Sequence, residues 1–394
     1  VIFVFITVTL DMLALGVVIP VLPRLVLGFL GGDTARTATM YGLFGSVWAL
    51  MQFLFSPLLG ALSDRFGRRP VILVSVFGLG FDYVLMALAP SLGWLFVGRT
   101  ISGITSANIA TASAYIADVT LPENRAKAFG MIGVAFGLGF VLGPALGGIL
   151  GAESPRLPFW VAAALTLANG LYGLFLLPES LPKARRAALD LSRANPLGAL
   201  VFLRSHRQLF GLAAVSFLAS LAHAALPSTF VLYAGYRYGW HEREVGWTLA
   251  GVGVCTAVVQ GALVGPIVAR LGERKSLLAG QALGALGFFI YGMAAKGAIF
   301  WLGVPVMAFW GIAGPAAQAL MTRRVLATEQ GRLQGASSSL NGIAELVGPL
   351  AFSACFAFFI GPGLAFKLPG APFLLAALCL LSSMTVAWAV TRPD

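Results

Sequence analysis

The chain has 394 residues, 58% of them hydrophobic and only 10% charged, with a formal net charge of +11 and a mean hydropathy of +0.89. A water-soluble domain carries about a quarter charged residues, so a soluble globule is excluded. A basic excess of this kind fits either nucleic-acid binding or a membrane topology signal, and the positions of the bases decide between them.

Apolar stretches of about 20 residues, each enough to cross a bilayer at ~1.5 Å per residue, begin near residues 2, 38, 71, 93, 127, 157, 208, 244, 276, 299, 332 and 370. They are continuous rather than alternating, which predicts helices and not a barrel. Asp11 inside the first stretch argues against a cleavable signal peptide. Arg65, Arg68, Arg69, Arg125, Lys127, Lys183, Arg185, Arg186, Arg270, Arg274, Lys275, Arg323 and Arg324 follow the even-numbered spans, while a smaller set including Arg24, Arg36, Arg156 and Lys367 falls opposite. That asymmetry predicts a multi-pass membrane protein with both termini cytoplasmic and no nucleic-acid partner. Cys255, Cys355 and Cys379 sit singly in apolar spans, as packing residues do, and no metal-ligand spacing is present.

The chain repeats itself. Gly60 to Pro70 (GALSDRFGRRP) aligns with Gly265 to Lys275 (GPIVARLGERK) at an offset of 205, and the same offset carries Gly143-Pro144 onto Gly348-Pro349. Two copies of one six-span unit are expected, residues 1–177 and 207–394, joined by a polar cytoplasmic linker over 178–206. Within the linker, Ala184 to Leu191 reads either as an amphipathic helix against lipid headgroups or as a solvated tether. Substrate sites in such proteins lie between repeats, which points to transport of a small molecule.

Each unusual residue has a plain reading beside a functional one. Asp11, Asp82, Arg99 and Glu345 lie within spans, where a charge costs roughly 2.5–3.5 kcal/mol; ion pairing is one account of them, proton exchange the other. Gln334, Ser338, Asn341 and Glu345 share one helical face, fit either for a wet cavity or for interhelical hydrogen bonds. Asn108, His223, Gln260, Gln281 and Gln318 are further candidates for a cavity lining, with Tyr83, Tyr233, Tyr236, Tyr291 and Trp310 as stacking surfaces or packing aromatics. Gly139, Gly143 and Gly147 form a bare stripe beside Pro144 that lets helices approach. In the basic turn, Gly67 permits the bend, Gly60 a close crossing, and Arg65, Arg68 and Arg69 hold the cytoplasmic face, while Asp64 is an acid placed to pair or to approach a helix N-terminus.

These motifs together resemble a known family. Gly60 to Pro70, Leu95 to Thr105 (LFVGRTISGIT), Gly133 to Gly148 (GVAFGLGFVLGPALGG) and Leu10 to Pro23 (LDMLALGVVIPVLP) are similar to the signature segments of the major facilitator superfamily and its drug/proton antiporters. Phe81-Asp82-Tyr83, Ala114 to Thr120 and Gln334-Gly335 extend the likeness to the tetracycline efflux group across the whole chain. The resemblance implies an all-α fold of twelve spans in two six-helix bundles in a bacterial inner membrane, working as a monomer by alternating access. It implies proton coupling through Asp11, Asp82 and Arg99, to which Glu345 is added by its own position inside a span, and a cytoplasmic gate of Gly60, Asp64, Arg65, Gly67, Arg68, Arg69 and Asp118. A pivot at Gly139, Gly143, Pro144 and Gly147 is likewise implied. The expected activity is export of an amphipathic drug in exchange for protons, with no enzyme chemistry and no bound cofactor, the substrate admitted also as a divalent-metal chelate. A metabolite or siderophore-like substrate is the alternative. Thr256 and Gly284 stand where that group carries a histidine and an aspartate, a departure that bears on substrate identity.

Overall fold

The protein is described here by a computed structural model covering residues 2–106, 109–121, 124–186, 203, 207–326, 329–364 and 366–392. Every regular element among the described residues is helical, the expected result for continuous apolar segments that must satisfy their own backbone N–H and C=O groups. The first half runs through α1 (Ile2–Val18), α2 (Leu22–Phe29), α3 (Thr34–Phe66), α4 (Arg68–Leu88), α5 (Leu92–Thr105), α6 (Ile109–Val119), α7 (Arg125–Glu153) and α8 (Leu157–Leu176). The second runs through α9 (Arg207–His223), α10 (Ala225–Tyr238), α11 (Glu242–Val258), α12 (Val264–Met293), α13 (Gly297–Ala308), α14 (Ala313–Thr322), α15 (Gln330–Ile360) and α16 (Ala371–Val390).

Among the described residues, ten segments are long and apolar enough to cross a membrane. One of these, Glu242–Met293, has 52 residues, roughly 78 Å of straight helix against a hydrocarbon core of about 30 Å. It does not run straight: Gly272 (φ 75°, ψ 163°) leaves the helical region inside it. Large apolar side chains face outward, such as Phe175 at 77% and Val74 at 72% exposure. In water such a surface is a liability; against acyl chains it is the required one.

The chain divides into two compact units. Unit 1 holds residues 1–31, 47–195 and 241–250; unit 2 holds 32–46, 196–240 and 251–394. In unit 1, α1 lies along α7 and α4 along α8, around a core that includes Val8, Met12, Ile72, Val76, Tyr115 and Ala135. In unit 2, α12 and α9 both pack on α16, around Leu209, Leu212, Leu277, Ala316 and Leu333.

The repeat is written into the backbone. Gly67, before α4, has φ 107° and ψ 158°; Gly272, 205 residues on, has nearly the same conformation. This region of backbone space is open essentially to glycine alone. A Cβ on Gly272 meets nothing within 4 Å, so Gly272→Ala tests the backbone by itself. It should lower stability by about 1–3 kcal/mol, read as a drop in the melting temperature of the detergent-solubilised protein; an unchanged melt would refute the assignment of strain.

The ion pairs repeat with their polarity reversed. Arg68 Nε lies 3.1 Å from Asp118 Oδ2 in unit 1. At the positions 205 further on, Arg323 lies 2.7 Å from Glu273 Oε1 in unit 2. The same two places in each copy are tied, with acid and base exchanged.

Candidate functional site

A cavity of about 490 Å³ opens within unit 2. His223 from α9, Gln281 from α12, Gln318 from α14 and Asn341 from α15 all line it, as do Gln260, Thr256 and Trp310. Local structure explains how these side chains converge. Gln260 sits on a π-helical turn, Val259–Leu263, and the extra residue in such a turn re-aims a side chain. Trp310 sits on the 3₁₀ turn Phe309–Ile312 and fills the space beside Gly284 of α12. Gly280 lies similarly against Ala313, so two glycines flank Gln281 and let that face of α12 approach its neighbours.

Hydrogen bonds fix part of the lining. Ser220 Oγ donates to Asn341 Oδ1 at 2.7 Å, and Gln318 Nε2 donates to Gln334 Oε1 at 3.2 Å. The His223 and Trp310 rings are 5.9 Å apart and tilted by 47°. Gln281 is 1% exposed, and its Oε1 accepts no hydrogen bond among the described residues. Glu345 is outside the lining, yet His223 is near enough to act on its carboxyl. Ser338 is exposed and lies outside the lining, which Ser337 occupies instead. Asn108 lies outside the described residues. Tyr233 and Tyr291 belong to an aromatic core with Phe300 and Phe373, where the Tyr291 and Phe300 rings stack at 4.0 Å. They pack; they do not line this cavity.

Unit 1 holds the buried charges. Asp11 is 7% exposed and accepts from Asn169 Nδ2 at 3.0 Å; the same amide donates to the Thr7 carbonyl. Asp82 is 2% exposed, and neither carboxyl oxygen has a hydrogen-bond partner among the described residues. It faces Gly98 of α5, where an added Cβ would come within 3.1 Å of Oδ1 and closer still to the Met86 side chain. The Arg99 guanidinium lies over the Trp48 ring at 5.4 Å, a cation–π contact. Asn169 was not among the sequence-derived candidates, although it is a polar residue in an apolar span just as Asp11 is.

At the basic turn Arg68 is the centre. Its guanidinium pairs with Asp64 at 2.5 Å and with Asp118 and donates to Ser63 Oγ at 2.7 Å. Its backbone N–H, at the start of α4, donates to Glu179 Oε1 at 2.9 Å, an acid where the helix dipole favours one. Arg69 reaches the Leu174 carbonyl, and Arg65 lies over Phe66. Of two expectations here, the pairing of Asp64 is borne out and the close crossing at Gly60 is corrected. Asp64 pairs with Arg68 of its own turn, the base one helical turn away. Gly60 makes no close crossing, since a Cβ there meets nothing within 4 Å. Glu179 went unread because its partner lies 111 residues away. Of the proposed amphipathic segment 184–191, residues 187–191 lie outside the described residues, and Lys183–Arg185 forms a single 3₁₀ turn.

The glycine stripe is a contact seam. A Cβ on Gly143 would stand 2.6 Å from the Gly16 Cα and 2.9 Å from the Leu13 carbonyl, and one on Gly139 would meet Met12. Gly147 is held as closely against Val17. In the second copy Gly348 lies against Ala224 in the same manner.

A duplicated, all-helical, multi-pass membrane protein with a largely apolar cavity bearing a few polar side chains in one unit and buried acids in the other is a secondary transporter by architecture. The chain belongs to the Major Facilitator Superfamily, whose family model matches residues 4–349 and 212–393; it is a transporter of small molecules and not an enzyme. It is 40% identical to the tetracycline resistance protein, class C, of Escherichia coli, over 97% of this chain and 96% of that one. It is 38% identical to the class G protein of Vibrio anguillarum, over 88% of each. Among solved structures it resembles the human organic anion transporter MFSD10 (TETRAN), with a TM-score of 0.71, 26% identity and 98% of each chain covered.

Proposed function

We propose that this protein is a proton-coupled antiporter of the bacterial inner membrane that expels an amphipathic organic compound of the tetracycline kind. In this reading the chain crosses the membrane twelve times, two six-span bundles joined by residues 178–206, with both termini cytoplasmic and the monomer as the working unit. The observation that carries it is Asp82, a buried carboxyl whose oxygens have no hydrogen-bond partner among the described residues. A carboxyl in hydrocarbon is costly while it is charged, so taking up and releasing a proton there can be tied to the change of surroundings during transport. Asp11, hydrogen-bonded by Asn169, is the second acid of the relay, with Arg99 beside Trp48 and Glu345 near His223 completing the set. The substrate side is supported by the tetracycline resistance relatives and by a cavity large enough for a drug-sized ligand. The loop motif around Arg68 serves as the cytoplasmic gate and the Gly139–Gly147 stripe as the pivot.

Export then follows from reciprocal linkage: proton and substrate each lower the other's affinity, and each drives the other across. In inside-out vesicles an imposed acid interior should drive tetracycline uptake, and a protonophore should collapse it. Uptake indifferent to the protonophore would contradict antiport. Thr256 in the cavity lining and Gly284 under Trp310 favour a second reading, in which a cellular metabolite or siderophore-like compound is the cargo. A thermal-shift panel of both compound classes separates the two.

A further inference from the structure

We infer that Asn169 is a positioning residue for Asp11: its amide holds a hydrogen-bond donor on that carboxyl and so sets the pH at which Asp11 gives up its proton. The inference rests on the antiport reading above and deepens it at one acid.

Asn169 of α8 is 1% exposed. Its Nδ2 lies 3.0 Å from two acceptors on α1, the Thr7 carbonyl and Asp11 Oδ1. Thr7 and Asp11 are four residues apart and share one face of that helix. A backbone carbonyl can only accept, so it fixes which end of the amide points at α1. Turning Oδ1 toward Asp11 would lose the Thr7 bond and set oxygen against oxygen. Asp11 therefore meets an N–H here, and such a donor favours the carboxylate over the acid.

Packing does not account for the residue. Asn169 Oδ1 is buried with no hydrogen-bond partner among the described residues, as are the hydroxyls of Thr7 and of Thr166, one turn back on α8. An unpaired buried acceptor is destabilising, so stability alone favours an apolar side chain at 169. Asp82 and Tyr83 of α4 and Arg99 of α5 share the neighbourhood, since Tyr83 lies near enough to feel Asp11 and both other charges. On the other sides of α1, α7 presents Gly139 and Gly143. Tyr115 of α6 packs in the same core and donates to the Pro178 carbonyl. Asp82 has no donor like Asn169 among the described residues, so the two acids of this unit are held differently.

Infrared spectroscopy of the purified protein over a pH series tests this, the acid C=O bands being assigned by their loss in Asp11→Asn and Asp82→Asn. In Asn169→Leu the pH at which the Asp11 band disappears should rise by about one unit, the shift that one charge-assisted hydrogen bond represents. The Asp82 band should move by less. An unmoved Asp11 midpoint, or no Asp11 acid band at any pH, overturns the inference. A second arm leaves residue 169 untouched and stands even where Asn169→Leu does not fold. In wild type the Asp11 band should lie at lower wavenumber than the Asp82 band, because a hydrogen bond to the carbonyl oxygen weakens C=O. Coincident bands, or the reverse order, overturn the inference. Tetracycline uptake in vesicles keeps the two claims apart. Proton-driven uptake with an unmoved midpoint sinks this inference and leaves antiport standing. A moved midpoint in a protein whose uptake ignores the proton gradient sinks antiport and leaves the role of Asn169 standing.

Discussion

Asp82→Asn should abolish proton-driven accumulation while leaving substrate exchange intact. The substitution keeps shape and volume and removes only the ability to release a proton. Asp82 is 2% exposed and its two oxygens have no hydrogen-bond partner among the described residues, so an amide there breaks no bond that holds the fold. The loss of gradient-driven accumulation should be at least about tenfold, the factor that ~1.4 kcal/mol of coupling represents. Exchange of labelled for unlabelled substrate needs no net proton movement and should stay near the wild-type rate. Asp11→Asn is the less clean experiment, because Asp11 accepts from Asn169 and an amide at 11 disturbs that bond as well. If exchange and accumulation fall together in Asp82→Asn, the residue supports binding or folding and the coupling assignment fails.

The second large effect is structural. Gly143→Ala should destabilise the protein by about 1–3 kcal/mol, and Gly143→Leu by more, through overpacking. The atoms in the way are the Gly16 Cα and the Leu13 carbonyl, 2.6 and 2.9 Å from the added Cβ. They are backbone and cannot rotate aside, so α1 and α7 must part. Gly137, on the same helix, meets nothing within 4 Å; Gly137→Ala is the internal control and should be neutral or slightly stabilising, as helix propensity favours Ala. The readout is the melting temperature and the yield of monodisperse protein. Equal melts for Gly143→Ala and Gly137→Ala would remove the seam from the account.

The parts of this molecule legible in its sequence are those where one residue contradicts its surroundings. A glycine turn among apolar spans, repeated after 205 residues, announces the duplication, and Gly67 and Gly272 show why: no other residue takes that backbone. His223, Gln260, Gln281, Gln318 and Asn341 stand out as polar residues in hydrocarbon, and they meet in one cavity. What escaped depends on phase or distance. Ser337 and Ser338 differ by about 100° around α15, and composition gives no means of choosing between them. Glu179 reaches Arg68 across 111 residues, and the reversed pair Glu273–Arg323 has meaning only once Arg68–Asp118 is seen. Gly60 was misread for a related reason: a glycine in a motif signals freedom, but only packing tells whether a neighbour uses it.

The claim beneath the mechanism is that cargo and proton exclude one another. It is tested most directly by following the pH of a weakly buffered solution as substrate is added to the purified protein. The account predicts protons released on binding by wild type, and markedly fewer by Asp82→Asn at equal occupancy. Binding that releases none, or a release that Asp82→Asn leaves unchanged, would contradict it.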